Sequence, residues 1–339
     1  MEKSLFFNVT FYLYLLTTLC YLFVFFKKNR IVQLVSTCFL VLGIITHTIF
    51  IIQRWILAGF PPFTNTFETL VLFSWLLAFQ YFLVEVICKN KILGFASCLL
   101  AFIILAYSSF FPSVIRPLMP ALQNNFWLLI HVNLCFISYA AFTLGFLCAL
   151  CYLLRSKTLH QSLGLYIISL LASSLLIAII SIYLHKTGKI LLEKNLATII
   201  QIAFICIILA GVLWLIMIGY KILSKKKDVA NFDNQDALAL YLYRLLGIGF
   251  TFLTMGILTG AFWANEAWGT YWGWDPKETW SLITWLVYAI GFIMIYPERN
   301  ITEEKYGIRL SWLSVLGFFC VLFTYFGVNY LLRGLHSYS

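Results

Sequence analysis

Residues 31–53 read IVQLVSTCFLVLGIITHTIFIIQ, 23 residues without one Asp, Glu, Lys or Arg. A helix rises about 1.5 Å per residue, so this stretch is long enough to cross the ~30 Å hydrocarbon core of a bilayer. Lipid offers no hydrogen bonds, and a helix satisfies its own backbone within the segment. The stretch therefore reads as a transmembrane helix. The pattern recurs on both sides of it, at roughly 5–26, 67–88, 92–111, 126–154, 162–184, 196–223, 243–263, 279–296 and 310–332. The sequence thus predicts an all-α, polytopic integral membrane protein of about ten spans. The first run is too long for a signal-peptide core and lacks an A-x-A site, so it counts as a helix. Over 339 residues the composition is 62% hydrophobic and 11% charged, against about 45–50% and 25% in soluble domains. That excludes a soluble enzyme, a disordered chain and a disulfide-stapled scaffold. No repeat or linker divides it, so 1–339 reads as a single membrane domain surrounded by lipid.

The net charge of +10 belongs to the segments between the apolar runs, where Lys and Arg orient helices, so it does not point to nucleic acid. With the N-terminus outside, 15 of the 23 basic residues fall on inner segments. The segments near 54–66, 112–125, 185–195 and 264–278 then lie outside. Cys148 and Cys151 form a C-x-x-C in the fifth run, but Tyr152 follows where a c-type haem site needs His. Two cysteines at helical spacing in an apolar run read as packing.

Six of the eleven tryptophans, Trp263, Trp268, Trp272, Trp274, Trp280 and Trp285, fall within 23 residues, with Gly269 and Gly273 interleaved. Tryptophan gathers at membrane interfaces without further function. Glycine lets backbone approach a ligand closely, and indoles offer flat apolar faces with an N–H at the edge. Composition leaves two readings open, an anchoring belt and a shelf for a flat conjugated ring. Asp275-Pro276-Lys277-Glu278 reads as a helix start, with Asp275 as N-cap, Pro276 at the first helical position and Glu278 completing a capping box.

Among five histidines, His160 and His185 fall in loops. His47 lies inside the second span, where it is either functional or a partner for a neighbouring polar group. His131 and His336 share the outer side with the Trp-rich loop. Two imidazoles can hold a haem iron between them, although spacing alone would allow any two outer histidines. Arg54, Arg116, Lys277 and Arg333 are outer cations that suit carboxylates, or that simply snorkel.

The run from Trp268 through Gly269, Tyr271, Trp272, Gly273, Trp274, Asp275, Pro276 and Glu278 to Trp280 resembles the "WWD" signature of haem-handling cytochrome c assembly proteins. Within that superfamily the chain is similar to the CcsA/ResC type. Thr259–Ala264, Phe323–Asn329, Gly334–Tyr338, Trp127–Val132, Arg54-Trp55 and Pro62–Leu70 extend the resemblance over roughly 31–155 and 238–338. The resemblance implies a haem-binding loop at 264–280, with contacts from Trp263, Trp268, Gly269, Trp272, Gly273, Trp274 and Asp275. It implies that His131 and His336 ligate the iron of haem b, handled as substrate. The implied activity is delivery of haem at the outer (periplasmic or lumenal) face for thioether attachment to the C-x-x-C-H motif of apocytochrome c. The implied partner is a CcsB/ResB-type membrane protein, and the chain would be a component of a haem-attaching synthetase complex, with no catalytic acid or base assigned. A b-type electron carrier or a haem exporter is the rival reading. Three departures stand out. Ile293 occupies the position where relatives carry an intramembrane histidine, which argues against an exporter. Phe60 replaces a histidine frequent in plastid relatives, which favours a bacterial inner membrane over a thylakoid. Residues 156–237 form an insertion of two further predicted spans.

Overall fold

Leucine, isoleucine and phenylalanine dominate the apolar runs, and in lipid nothing competes with helix for their backbone. The computed structural model describes residues 4–26, 29–88, 91–115, 117–118, 123–155, 235–295, 303–332 and 334. These form α1 (Leu5–Phe26), α2 (Arg30–Ala58), α3 (Thr66–Cys88), α4 (Lys91–Ser108), α5 (Asn125–Arg155), α6 (Gln235–Trp268), α7 (Pro276–Ile295) and α8 (Glu303–Leu322). A π-helical turn, Phe323–Gly327, and a short α9, Val328–Leu331, continue α8. No strand occurs among the described residues. Among the described residues seven helices are long and apolar enough to cross a membrane, and Leu93–Ser108 is a shorter apolar helix. The chain is an integral membrane protein. The predicted spans at 162–184 and 196–223, with the insertion 156–237 that holds them, lie outside the described residues apart from its last three.

Two groups of helices pack side by side. α1 lies against α2 and α4, and α3 against α4; α5 joins this group to α6, α7 and α8. Apolar burial drives little association inside lipid, so small residues and hydrogen bonds do more of it. Gly249 and Gly256 admit Phe142 and Cys135 of α5 against α6. Ser138 donates to the Gly249 carbonyl at 2.7 Å. Phe142 stacks on Tyr288 of α7 with centroids 3.9 Å apart.

α6 is longer than the hydropathy pattern indicated, beginning at Gln235 rather than 243 and running on to Trp268. Arg244 and Asp236 lower local hydropathy, but Gln, Ala and Leu are good helix formers. Its 34 residues measure about 51 Å, well beyond the hydrocarbon core. The segment 264–280 accordingly contains the last turn of α6, seven non-helical residues (269–275) and the first turn of α7.

Alternation of the helices gathers the C-terminal ends of α2, α4 and α6 with the N-terminal ends of α3, α5 and α7. Side chains tie these ends together. Arg54 of α2 donates to Glu68 of α3 and to the Ser113 carbonyl after α4, at 2.8 and 2.9 Å. Thr69 and Tyr325 share a 2.8 Å hydrogen bond between α3 and the π turn.

Candidate haem-binding end of the bundle

His131 lies in the second turn of α5 and is wedged against α6. Its Nδ1 is 2.8 Å from the Gly256 carbonyl oxygen, an acceptor, so Nδ1 carries a proton and in the neutral ring the lone pair resides on Nε2, 3.9 Å from the Cys135 Sγ. Nε2 with a lone pair is the form of imidazole that ligates iron, and a carbonyl partner on the other nitrogen fixes ring orientation. Gly256 and Gly260 make this approach possible. A methyl group at Gly260 would stand 2.7 Å from His131 Cε1, and one at Gly256 2.8 Å from Cys135 Sγ. Trp263, buried one turn further along α6, meets the imidazole edge-on with centroids 5.5 Å apart.

The loop between α6 and α7 opens with Gly269, whose φ of +77° ends α6 in the left-handed conformation that glycine adopts readily. Its N–H donates to the Asn265 carbonyl at 2.9 Å. The loop closes on the capping box expected from the sequence. The Lys277 N–H donates to Asp275 Oδ2 at 3.1 Å, and Glu278 Oε2 accepts from Asp275 N and Gly273 N at 3.2 and 2.8 Å. Trp274, held at φ +55°, is 69% exposed. Among the non-glycine described residues it alone has positive φ, a conformation costly for a bulky side chain.

The six tryptophans do not form one flat surface. Trp272 and Trp274 stand perpendicular, at 89° and 5.9 Å. Trp280 packs on Phe323 of the π turn. Trp285 turns into the bundle, stacks on Phe250 and donates to Thr254 at 2.8 Å. Trp263 is the one in ring contact with His131 described above; Trp268 occupies the last helical position of α6, half-buried.

His336, Arg116 and Arg333 lie outside the described residues. Gly334 is described, and it rests on the start of α7. A methyl group there would meet Asp275 Oδ1 and come within 3.0 Å of Pro276 Cδ. Lys277 interacts electrostatically with the Asp275 carboxylate. Arg54 is committed elsewhere. It forms a buried ion pair with Glu68 and lies over the Phe67 ring, while Glu68 Oε2 accepts from the Thr64 backbone and hydroxyl.

His47 is fully buried beside the Tyr14 hydroxyl, 3.2 Å from Nδ1. Cys148 and Cys151 are buried in the core. Ile293 points out of the described bundle, 70% exposed. Composition and spacing did not single out Cys135, Asn124 or Glu266. Glu266 accepts from Asn124 Nδ2 and Trp127 Nε1, a contact between residues about 140 positions apart.

The family model described as "Cytochrome C assembly protein" matches residues 63–336. Curated proteins called cytochrome c biogenesis protein CcsA are similar over most of their length. One from Synechococcus elongatus is 35% identical, covering 98% of this chain and 96% of the relative. One from Guillardia theta is 34% identical, with 98% and 95% covered. One from Trieres chinensis is 35% identical, with 85% and 80% covered.

Proposed function

The chain belongs to the cytochrome c assembly protein family, among the CcsA-type cytochrome c biogenesis proteins, and from that premise we propose that it holds haem b at the outer face of its membrane and presents it to apocytochrome c. A role in cytochrome c maturation comes with the family, and haem handling with that role. The finer reading rests chiefly on one observation, His131 held as the Nδ1–H tautomer by the Gly256 carbonyl. The residues present fit the group: an imidazole whose Nδ1 is bonded to a backbone carbonyl, a glycine beneath the ring where a Cβ would collide, and an indole at its edge.

In this reading His131 and His336 are the two iron ligands. Trp263, Trp268, Trp272, Trp274, Gly269 and Gly273 line the macrocycle's site, and Asp275 fixes the start of α7 beneath the loop. Lys277 is the described cation suited to a propionate, because Arg54 already neutralises Glu68. The chemistry served is addition of two cysteine S–H groups of a C-x-x-C-H motif across the two vinyl groups, each forming one C–S and one C–H bond. The chain's own residues bind, orient and exclude water. We assign none of them as acid or base. The whole chain, 1–339, acts as one membrane domain with 156–237 as an insertion and 264–280 as the haem-binding loop. It works as part of a synthetase complex with a CcsB/ResB-type partner. Phe60 favours a bacterial inner membrane over a thylakoid.

The test is substitution of each ligand. His131→Ala and His336→Ala are expected to lose the haem that co-purifies with the protein and to abolish cytochrome c maturation. Full haem and full maturation in both variants would overturn the assignment.

A further inference from the structure

We infer that Glu266 is a positioning residue for His131, a role that rests on the reading of His131 as an iron ligand. Its carboxylate joins the two helices that frame the imidazole. Oε1 accepts from the side-chain amide of Asn124, and Oε2 accepts from the indole N–H of Trp127. Asn124 is itself the cap of α5. Its Oδ1 accepts from the N–H groups of Phe126 and Trp127, at 3.1 and 3.3 Å. One carboxylate therefore holds both the cap and the first turn of α5, and its negative charge stands at the positive end of that helix.

The register of these contacts gives the clamp its purpose. His131 is four residues after Trp127, one turn deeper on the same face of α5. Trp263 is three residues before Glu266, one turn deeper on α6. The Glu266 contacts thus close the helix pair immediately above the His131–Trp263 contact. Immediately below them, beside His131 and Cys135, α6 presents glycine, Gly256 and Gly260. A glycine surface sets how near two helices come, but it has no ridges to stop them sliding or turning. The bond from His131 to the Gly256 carbonyl needs a fixed register to keep its 2.8 Å length. Glu266 fixes that register at the outer end, from the last turn of α6, as Ser138 does further down through the Gly249 carbonyl, while Trp127 stays seated by stacking on Phe262 at 11°.

Two variants separate this role from folding. Trp127→Phe retains an aromatic ring for Phe262 and removes only the N–H; Glu266→Ala removes the whole clamp. Both are made in the full chain, purified in detergent with its haem. Backbone amides at 126–131 are expected to exchange with deuterium at least about tenfold faster than in the parent protein, as loss of charged hydrogen bonds implies. The low-spin ferric electron paramagnetic resonance signal, sensitive to imidazole orientation, is expected to change while haem per protein stays near the parent value. Glu266→Gln retains an acceptor for Trp127 and is expected to restore part of the parent signal. Parent-like exchange in both variants overturns the clamp. Faster exchange with an unchanged signal overturns the positioning role and leaves a structural contact. Should His131→Ala itself leave the signal unchanged, the ligand reading fails, and the exchange data still decide whether Glu266 holds α5.

Discussion

Alanine at Gly260 would place a methyl group 2.7 Å from His131 Cε1 and 3.0 Å from Nδ1. Ordinary carbon contacts lie at about 3.5–4.0 Å, so the ring or the helix must withdraw by about 1 Å. The ring cannot withdraw without cost, because Nδ1 is bonded to the Gly256 carbonyl at 2.8 Å. Overpacking of this kind costs about 1–3 kcal/mol. Alanine's better helix propensity returns about 1 kcal/mol. The net loss of stability is therefore only about 0–2 kcal/mol, but an iron ligand would be displaced by a large fraction of an ångström. Two other glycines of α6 serve as controls. A methyl at Gly249 meets Phe142 at 2.6 Å, a comparable collision about 16 Å further down the helix. Gly247 has nothing within 4 Å. The assay is haem content, optical spectrum and melting temperature of the three purified variants. Gly260→Ala is expected to lose haem or alter its spectrum with a modest drop in melting temperature. Gly249→Ala is expected to lower the melting temperature and keep the spectrum; Gly247→Ala should lower neither. Parent-like haem and spectrum in Gly260→Ala, with Gly249→Ala behaving as stated, would show that the imidazole at 131 does not touch iron.

Breaking the buried Arg54–Glu68 pair by Glu68→Gln or Arg54→Ala should cost about 3–5 kcal/mol, because the remaining charge is stranded; yield and thermal melting of the purified protein check this, and parent-like stability would refute the pairing. Trp285→Phe removes the bond to Thr254 and keeps the stack on Phe250, so melting should fall by the equivalent of about 1 kcal/mol with haem unchanged, whereas Trp263→Ala should disturb the haem spectrum. Asp275→Ala removes the cap of α7 and should destabilise by about 1 kcal/mol, measured by melting, with Asp275→Asn retaining most of it. Ile293→His faces out of the described bundle and should leave stability and the existing haem signal unchanged; its haem stoichiometry is the readout.

The seven long spans among the described residues were legible because lipid removes the ambiguity that short apolar runs have in soluble proteins. The capping box at Asp275 and Glu278 was legible because its logic is confined to four residues. The limits of α6 were not, since hydropathy weighs Arg244 against a span while helix propensity does not. Arg54 read as an available cation because its partner lies beyond a turn at Gly59, on the next helix. Glu266 was silent for the same reason on a larger scale, its partners being on α5. The tryptophans read as either an anchoring belt or a shelf because composition reports their density, and only packing reports that Trp280 and Trp285 turn toward Phe323 and Phe250. The π turn at Phe323–Gly327 has no signature in hydropathy at all, though π turns often occur at functional sites.

The central claim is that His131 and His336 meet on one iron. The most direct measurement is the spectrum of the ferric protein, purified with its haem, after each histidine is replaced by glycine and imidazole is added back. The account expects a six-coordinate low-spin parent, a change of spin state in each variant, and return of the low-spin signal with imidazole in both. A parent spectrum in either variant before imidazole is added would contradict it.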